Sequence, residues 1–335
     1  MNLNKIFSSN MVFSAGKPIK IYGEGNGEVE IFFADYYKKI VSQNNSWIVE
    51  FPAMEYGGPY ELKAVFNDKT VILDNIFIGE VYLLAGQSNV QFKMGESTTA
   101  TEEYVSNDRI RLFSTNRLES GERYNADDGW KTCKLEEIKY WSAIGYLTAK
   151  EIAETKNVAV GIITCYQGAS VIESWVPKGT FEKIGINIPV SEKFIDHTNE
   201  LFSDWNGDGV LYEYALSQVV PFSLSGIVWY QGESDAAIKE AQVYKEEVLE
   251  LINVWRAAFD DKTLPFIVVQ IADYDARATE AWALIQKAQY DVQFILDNVK
   301  TVISADVCEK DDIHPPTKIK LAKRIAIAMM QFIDK

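Results

Sequence analysis

From about residue 79 onward, near-continuous apolar runs alternate with helical periodicity, and no other feature restricts the fold as much. The runs are Val81-Tyr82-Leu83-Leu84-Ala85, Val158-Ala159-Val160-Gly161-Ile162-Ile163, Ile227-Val228-Trp229-Tyr230 and Phe266-Ile267-Val268-Val269-Gln270-Ile271. A strand that is apolar at nearly every position has no face for solvent, which suits a parallel sheet covered on both sides. Between the runs, apolar residues recur at helical spacing over about 140–156, 238–259, 280–297 and 317–333. This alternation predicts an α/β domain over residues 79–335, three-layered and doubly wound around a parallel sheet.

Residues 1–78 have another texture. Short alternating segments (Ile19-Lys20-Ile21-Tyr22, Val29-Glu30-Ile31-Phe32-Phe33, Trp47-Ile48-Val49-Glu50-Phe51 and Tyr60-Glu61-Leu62-Lys63-Ala64-Val65) are separated by turn residues such as Gly23-Glu24-Gly25-Asn26-Gly27 and Gly57-Gly58-Pro59. Period-two alternation at that spacing predicts a small all-β, sandwich-like N-terminal module. Residues 176–209 carry Pro177, Gly179, Gly185, Pro189, Gly207 and Gly209, and read as a long surface excursion near the site.

Composition excludes several partners. Hydrophobic residues make up 47% and charged residues 24%, a balance that supplies a sizeable core. The formal net charge of −15 repels a phosphate backbone and an anionic membrane surface. No apolar run follows Met1-Asn2-Leu3-Asn4-Lys5-Ile6-Phe7, and none is long enough to span a bilayer. The expectation is a cytoplasmic protein, although a secreted chain whose signal had been removed would read the same way. The three cysteines, Cys133, Cys165 and Cys308, are too few and too scattered for a disulfide framework or a structural zinc site, and read as small buried hydrophobes.

In open α/β sheets, reacting groups collect beyond the carboxyl ends of the strands. Four motifs lie there. Gly86-Gln87-Ser88-Asn89 follows the run 81–85, where a tight turn presents a serine hydroxyl; on its own such a serine also suits a helix N-cap. The chain has two histidines, His197 and His314, and a serine nucleophile needs an imidazole base. His314 sits in Asp311-Asp312-Ile313-His314-Pro315, with carboxylates to orient it; His197 follows Asp196 inside the irregular excursion. In Tyr166-Gln167-Gly168-Ala169-Ser170, the Gly168 N–H can meet a ligand oxygen at close range. Trp229-Tyr230-Gln231-Gly232-Glu233-Ser234-Asp235 ends the third run with a Gln amide able to donate to an oxyanion. Glu233 alone could be a glycosidase acid, but no partner carboxylate is evident. Together the four motifs fill the roles of acyl transfer.

These motifs, in this order, resemble the sialate O-acetylesterase family of the SGNH (GDSL-type) hydrolase superfamily, which is related to acetylxylan esterases. The resemblance extends over nearly the whole chain, including Ile78-Gly79-Glu80-Val81-Tyr82-Leu83 and the later Gln270, Trp282 and Gln289. It implies Ser88 as nucleophile, His314 as base, and an oxyanion hole made by the N–H groups of Ser88 and Gly168 with the side-chain amide of Gln231. The superfamily pattern D-x-x-H selects Asp311 as the acid, with Asp312 as the alternative; some relatives work as a dyad. The implied reaction removes an acetyl group from carbohydrate through an acetyl-enzyme, most directly from O-acetylated sialic acid, with no metal or organic cofactor. Asp235 stands where the family often has Asn, and Gln286-Lys287-Ala288-Gln289 where it often has an Arg before Glu-Ala-Gln, changes that touch substrate contacts more than catalysis.

A sialic acid carries a carboxylate, so Arg117, Arg123 and Arg277 are candidate partners, and Arg277, just past the run 266–271, is preferred. Gln87, Asn89 and Glu233 are further candidate substrate contacts. The rival substrate is a neutral acetylated sugar such as a xylan fragment. The rival class is a non-catalytic carbohydrate-binding protein on a hydrolase scaffold. The β module is expected to frame the site or to support homodimer contacts.

Overall fold

The computed structural model describes residues 1–333 except 68, 100, 119–122 and 188–203. Residues 188–203 of the excursion, His197 among them, lie outside the described residues. The alternating segments of the first 78 residues form strands β1 (Asn2–Leu3), β2 (Val12–Ser14), β3 (Ile19–Glu24), β4 (Gly27–Phe33), β5 (Tyr36–Ser42), β6 (Ser46–Phe51), β7 (Gly57–Phe66) and the start of β8 (Lys69–Gly86). β1, β3 and β6 make one antiparallel sheet; β5, β4, β7 and β8 make another, with β2 parallel to β8 at its side. Alternation turns Trp47, Val49 and Phe51 of β6, and Val29, Ile31 and Phe33 of β4, into the interior. The Trp47 and Phe66 rings meet there at 5.7 Å.

β8 continues without a break into the second sheet, so the expected boundary between residues 78 and 79 falls inside a strand. The second sheet adds β9 (Asn107–Ser114), β10 (Lys131–Cys133), β11 (Val160–Tyr166), β12 (Gly226–Tyr230), β13 (Phe266–Val269) and β14 (Val299–Val302), in the order β10-β9-β11-β8-β12-β13-β14. All neighbours are parallel except β10, antiparallel at the edge. The four predicted runs are β8, β11, β12 and β13. β9 and β14 escaped the apolar pattern because Arg109, Arg111, Lys300 and Thr301 interrupt it. Arg111 is nonetheless buried, its guanidinium donating to the Asp108 and Ile110 carbonyls.

The helices are α1 (Ser88–Gln91), α2 (Ala143–Lys156), α3 (Thr180–Lys183), α4 (Val210–Tyr214), α5 (Ile238–Ala258), α6 (Glu280–Asp291) and α7 (Ile319–Ile333). Among them no helix is long and apolar enough to cross a membrane. Register assigns their sides. Leu84 of β8 lies beside Val228 of β12 and under Gly145 of α2, on the side that α2 shares with α7. The next pair, Ala85 and Trp229, faces the other way, and Trp229 meets Trp255 of α5 edge-on at 5.4 Å. The sheet is therefore covered on both faces. The N-terminal strands are sewn to it by aromatic contacts, with Phe13 stacked on Phe222 at 5.5 Å, and by buried polar ties such as Ser14 Oγ to the Ser223 carbonyl at 2.8 Å.

From the central β8 the chain moves to one side (β9, β11) and then to the other (β12 to β14), which creates a switch point at the carboxyl end of β8. The ends of three strands line up there: Tyr166 pairs with Gly86, and Tyr230 pairs with Gly86 from the opposite side.

Candidate functional site

Three of the four motifs leave the sheet from that row. Gly86 has φ +142°, and a Cβ on it would sit 2.0 Å from the Tyr230 carbonyl oxygen, so only glycine lets β8 end this close to β12 and turn. Ser88 follows at the start of α1, which lasts a single turn. So short a helix has little macrodipole, and any help to negative charge comes from individual N–H groups. Neither the Ser88 nor the Gly168 N–H is taken by another group among the described residues. Gly168 stands beside the serine: a Cβ on it would lie 3.8 Å from Ser88 Cβ.

The fourth motif arrives from the loop between β14 and α7. His314 Nε2 is 2.7 Å from Ser88 Oγ, across 226 residues of sequence. The imidazole is stacked near the Phe92 ring, with centroids 6.4 Å apart. Burial lowers the His314 pKa from its ordinary 6.5, the Lys318 ammonium lowers it further, and the Asp312 and Glu96 carboxylates oppose both. A neutral imidazole against a serine hydroxyl is the protonation state that a general base requires.

Two expectations need correction. Asp311 is exposed, and among the described residues no carboxylate hydrogen-bonds to the His314 ring. Asp312 accepts the backbone N–H of His314 at 2.8 Å, closing a local Asx turn that holds the loop rather than the imidazole. Gln231 is fully buried and absent from the cavity wall. Its amide donates to the Ser170 carbonyl at 2.8 Å and to the Asp235 carboxylate, and its Oε1 accepts from Tyr244 at 2.8 Å. A buried amide takes the partners packed around it; both N–H groups are engaged, and none is left for an oxyanion.

The Ser88–His314 pair opens on a cavity of ≈ 610 Å³ whose wall includes Gln87, Gln91, Phe92, Gly168, Trp205, Glu233 and Arg277. Of the three candidate arginines, Arg277 alone lines it, held by one long bond (3.4 Å) to the Glu233 carbonyl. Arg117 lies over the Tyr166 ring, and Arg123 pairs with Glu137 at 3.0 Å. Gln87 borders the cavity and accepts the Gly232 N–H at 3.3 Å. Asn89 does not border it: its amide donates to Glu233 Oε1 at 2.6 Å and to the Ile313 carbonyl at 3.0 Å, so the expected substrate contact is an internal tie. Among the described residues Glu233 Oε2 is buried without a hydrogen-bond partner, and burial raises the carboxyl's pKa.

Sequence reasoning missed Phe92, Trp205 and Lys318. Lys318 is fully buried and donates to Asn89 Oδ1 at 2.7 Å. Its signal, a lysine four residues after the histidine at the entry of a helix, looks like that of any solvated lysine.

Residues 78–331 match the family model described as carbohydrate esterase, sialic acid-specific acetylesterase. The sialate O-acetylesterase of Mus musculus is 23% identical over 346 residues, covering 86% of this chain and 64% of that protein. The Homo sapiens sialate O-acetylesterase is 24% identical over 325 residues, covering 86% of this chain and 61% of that protein. Among solved structures, a carbohydrate acetylesterase from Xanthomonas citri superposes with a TM-score of 0.84 at 25% identity, covering 98% of this chain and 74% of that one. The chain thus spans less than two thirds of either mammalian relative.

Proposed function

Because this chain belongs to the carbohydrate esterase family of sialic acid-specific acetylesterases, we propose that it hydrolyses O-acetyl groups on carbohydrate, with O-acetylated sialic acid as substrate. The observation that carries this reading is the 2.7 Å contact between Ser88 Oγ and His314 Nε2 at the cavity, with the Gly168 backbone alongside.

His314 Nε2 takes the Ser88 proton as Oγ bonds to the acetyl carbonyl carbon. The carbonyl electrons move to oxygen, where the N–H groups of Ser88 and Gly168 receive the charge; an oxyanion donor of this kind contributes about 10²–10³ in rate. Collapse breaks the bond to the sugar oxygen, which leaves with the proton from His314. Water then attacks acetyl-Ser88, giving one proton to His314; Oγ recovers that proton as acetic acid departs and ionises in solution. The reading is a Ser88–His314 dyad, with Asp312 steadying the loop. On it, the sheet and helices that follow the start of β8 are an SGNH-hydrolase domain, and the β strands before it are a small module joined to it through β8.

Arg277 supports the sialic acid assignment, since its guanidinium is the arginine at the cavity and a planar fork suits a carboxylate. The test is acetate release from O-acetylated sialic acid, acetylated xylo-oligosaccharide and 4-nitrophenyl acetate. Ser88→Ala should abolish release, a loss of about 10³-fold or more. Arg277→Ala should raise KM for the sialic acid about tenfold, the equivalent of one charge-assisted hydrogen bond, and leave the neutral ester unchanged. Release mainly from the xylan fragment would keep the mechanism and replace the sugar. No serine-dependent release from any of the three would favour a carbohydrate-binding protein.

A further inference from the structure

Lys318 is a buried charge near the base that the mechanism above does not use. It precedes α7, has no exposed surface and does not line the cavity. Two routes lead from its ammonium to the base. Through one, Nζ donates to Asn89 Oδ1 at 2.7 Å, and the Asn89 amide donates onward to Glu233 Oε1 at 2.6 Å and to the Ile313 carbonyl at 3.0 Å. Through the other, Nζ lies 4.9 Å from the centre of the Phe92 ring, and that ring is stacked against the His314 imidazole.

The first route sets a direction. An asparagine side chain has one acceptor end and one donor end. The ammonium claims the acceptor, so the donor end must face the Glu233 carboxylate and the carbonyl just before His314. Reversed, the amide would set NH₂ against an ammonium and oxygen against two acceptors. The residue after the nucleophile thereby grips the residue before the base.

We propose that Lys318 is a positioning residue for the ester hydrolysis, acting through Asn89 and Phe92 to hold His314 on Ser88. The inference rests on the acyl-transfer reading of that pair. A neutral donor could orient Asn89 as well, at a smaller desolvation cost, so the charge has a second effect. The charged groups acting on His314 are Lys318, Asp312 and Glu96; those acting on Lys318 are Glu233, Glu309 and Asp312, with the Cys308 thiol. Lys318 is the cation in the first set and favours the neutral imidazole against two carboxylates. Burial lowers the lysine's own pKa to about 8, so the charge is present at neutral pH.

The test compares Lys318→Met, Lys318→Gln, Asn89→Ala and the Lys318→Met/Asn89→Ala double variant, each checked for folding by circular dichroism. With 4-nitrophenyl acetate, Lys318→Met should lower kcat about 10- to 100-fold, the scale of a misplaced catalytic group, and leave KM within about twofold. It should also move the acid limb of the pH–rate profile upward. Asn89→Ala should lower kcat and leave the limb in place, because the ammonium remains. The double variant should lose far less than the product of the two single losses, because both cut one route. Lys318→Gln keeps a donor without the charge; it should retain most of kcat, still shift the limb, and serve if Lys318→Met does not fold. The chain has two histidines, so NMR titration with His197→Gln as the assignment control follows His314 directly. A raised His314 midpoint without Lys318 in an active enzyme supports the inference; a wild type that hydrolyses nothing sinks the acyl-transfer reading and the positioning role with it. An active wild type whose kcat and His314 midpoint are both unmoved by loss of Lys318 overturns the inference and leaves that reading intact.

Discussion

The two ends of β8 belong to different physical regimes. From Lys69 to Asn75 no residue is fully buried, and Ile72 is 56% exposed. From Ile78 to Gly86 every residue is buried. The first end is an antiparallel strand with one face in water; the second is flanked by parallel strands and covered on both faces. Covered strands pack in one register, and that register aligns Tyr166, Gly86 and Tyr230, from which the reacting groups emerge. The wetter end pairs with β7 and carries none of the candidate chemistry. A single strand thus shows that burial on both faces, rather than strand geometry, gives a site its precision.

Three measurements can break or sharpen this contrast. The largest expected effect is on stability: Leu83→Ala should cost about 2–5 kcal/mol, the range for a fully buried leucine. Ile72→Ala on the same strand should stay within about 0.5 kcal/mol, as for an exposed position. Urea unfolding of both variants checks this, and similar losses would erase the contrast.

The next effect is on pH. Because burial and Lys318 depress the His314 pKa, the imidazole stays neutral, and competent as a base, to lower pH than a free histidine. Activity should therefore fall with acid at a midpoint below 6.5. In linkage terms the depressed histidine contributes stability that is fully present above 6.5 and is lost as pH falls from 6.5 through the lower folded midpoint, below which both states are protonated. A midpoint above 6.5 in the kcat/KM profile would mean that the ring is more solvated, or better paired with an acid, than its surroundings here indicate.

The smallest effect is expected at Asp311. The residue is exposed and away from the ring, so Asp311→Asn should change kcat by less than about threefold, against the losses of 10⁴ or more known when a true triad acid is replaced. A loss of that larger size would restore Asp311 as the acid.

Much of the fold was legible because it depends on local pattern. Apolar runs announced β8, β11, β12 and β13, and helical spacing announced α2, α5, α6 and α7 to within a few residues, except at the C-terminal end of α6. β9 was not legible, since Arg111 is buried by satisfying carbonyls of its own strand, which no apolarity pattern encodes. In the site, the scarcity of histidine pointed to His314, and the strand-end position pointed to Ser88 and Gly168. The errors fell on polar side chains whose hydrogen-bond partners the motifs do not reveal, some near in sequence and some far. Gln231 resembled an oxyanion donor until Ser170, Asp235 and Tyr244 proved to occupy its amide.

The amino-acid order by itself marked β8, β11, β12 and β13 as strands buried on both faces, α2, α5, α6 and α7 as helices, and the residue types that end those strands. These follow from the periodicity of side chains along a regular backbone, a property of neighbours in the chain. Tertiary structure alone decided that Asp312 closes a turn while Asp311 faces water, that Asn89 points inward, and that the Lys318 ammonium lies buried beside the base. Each of those outcomes turns on which donor meets which acceptor once water is excluded, and the meeting groups stand up to 229 residues apart.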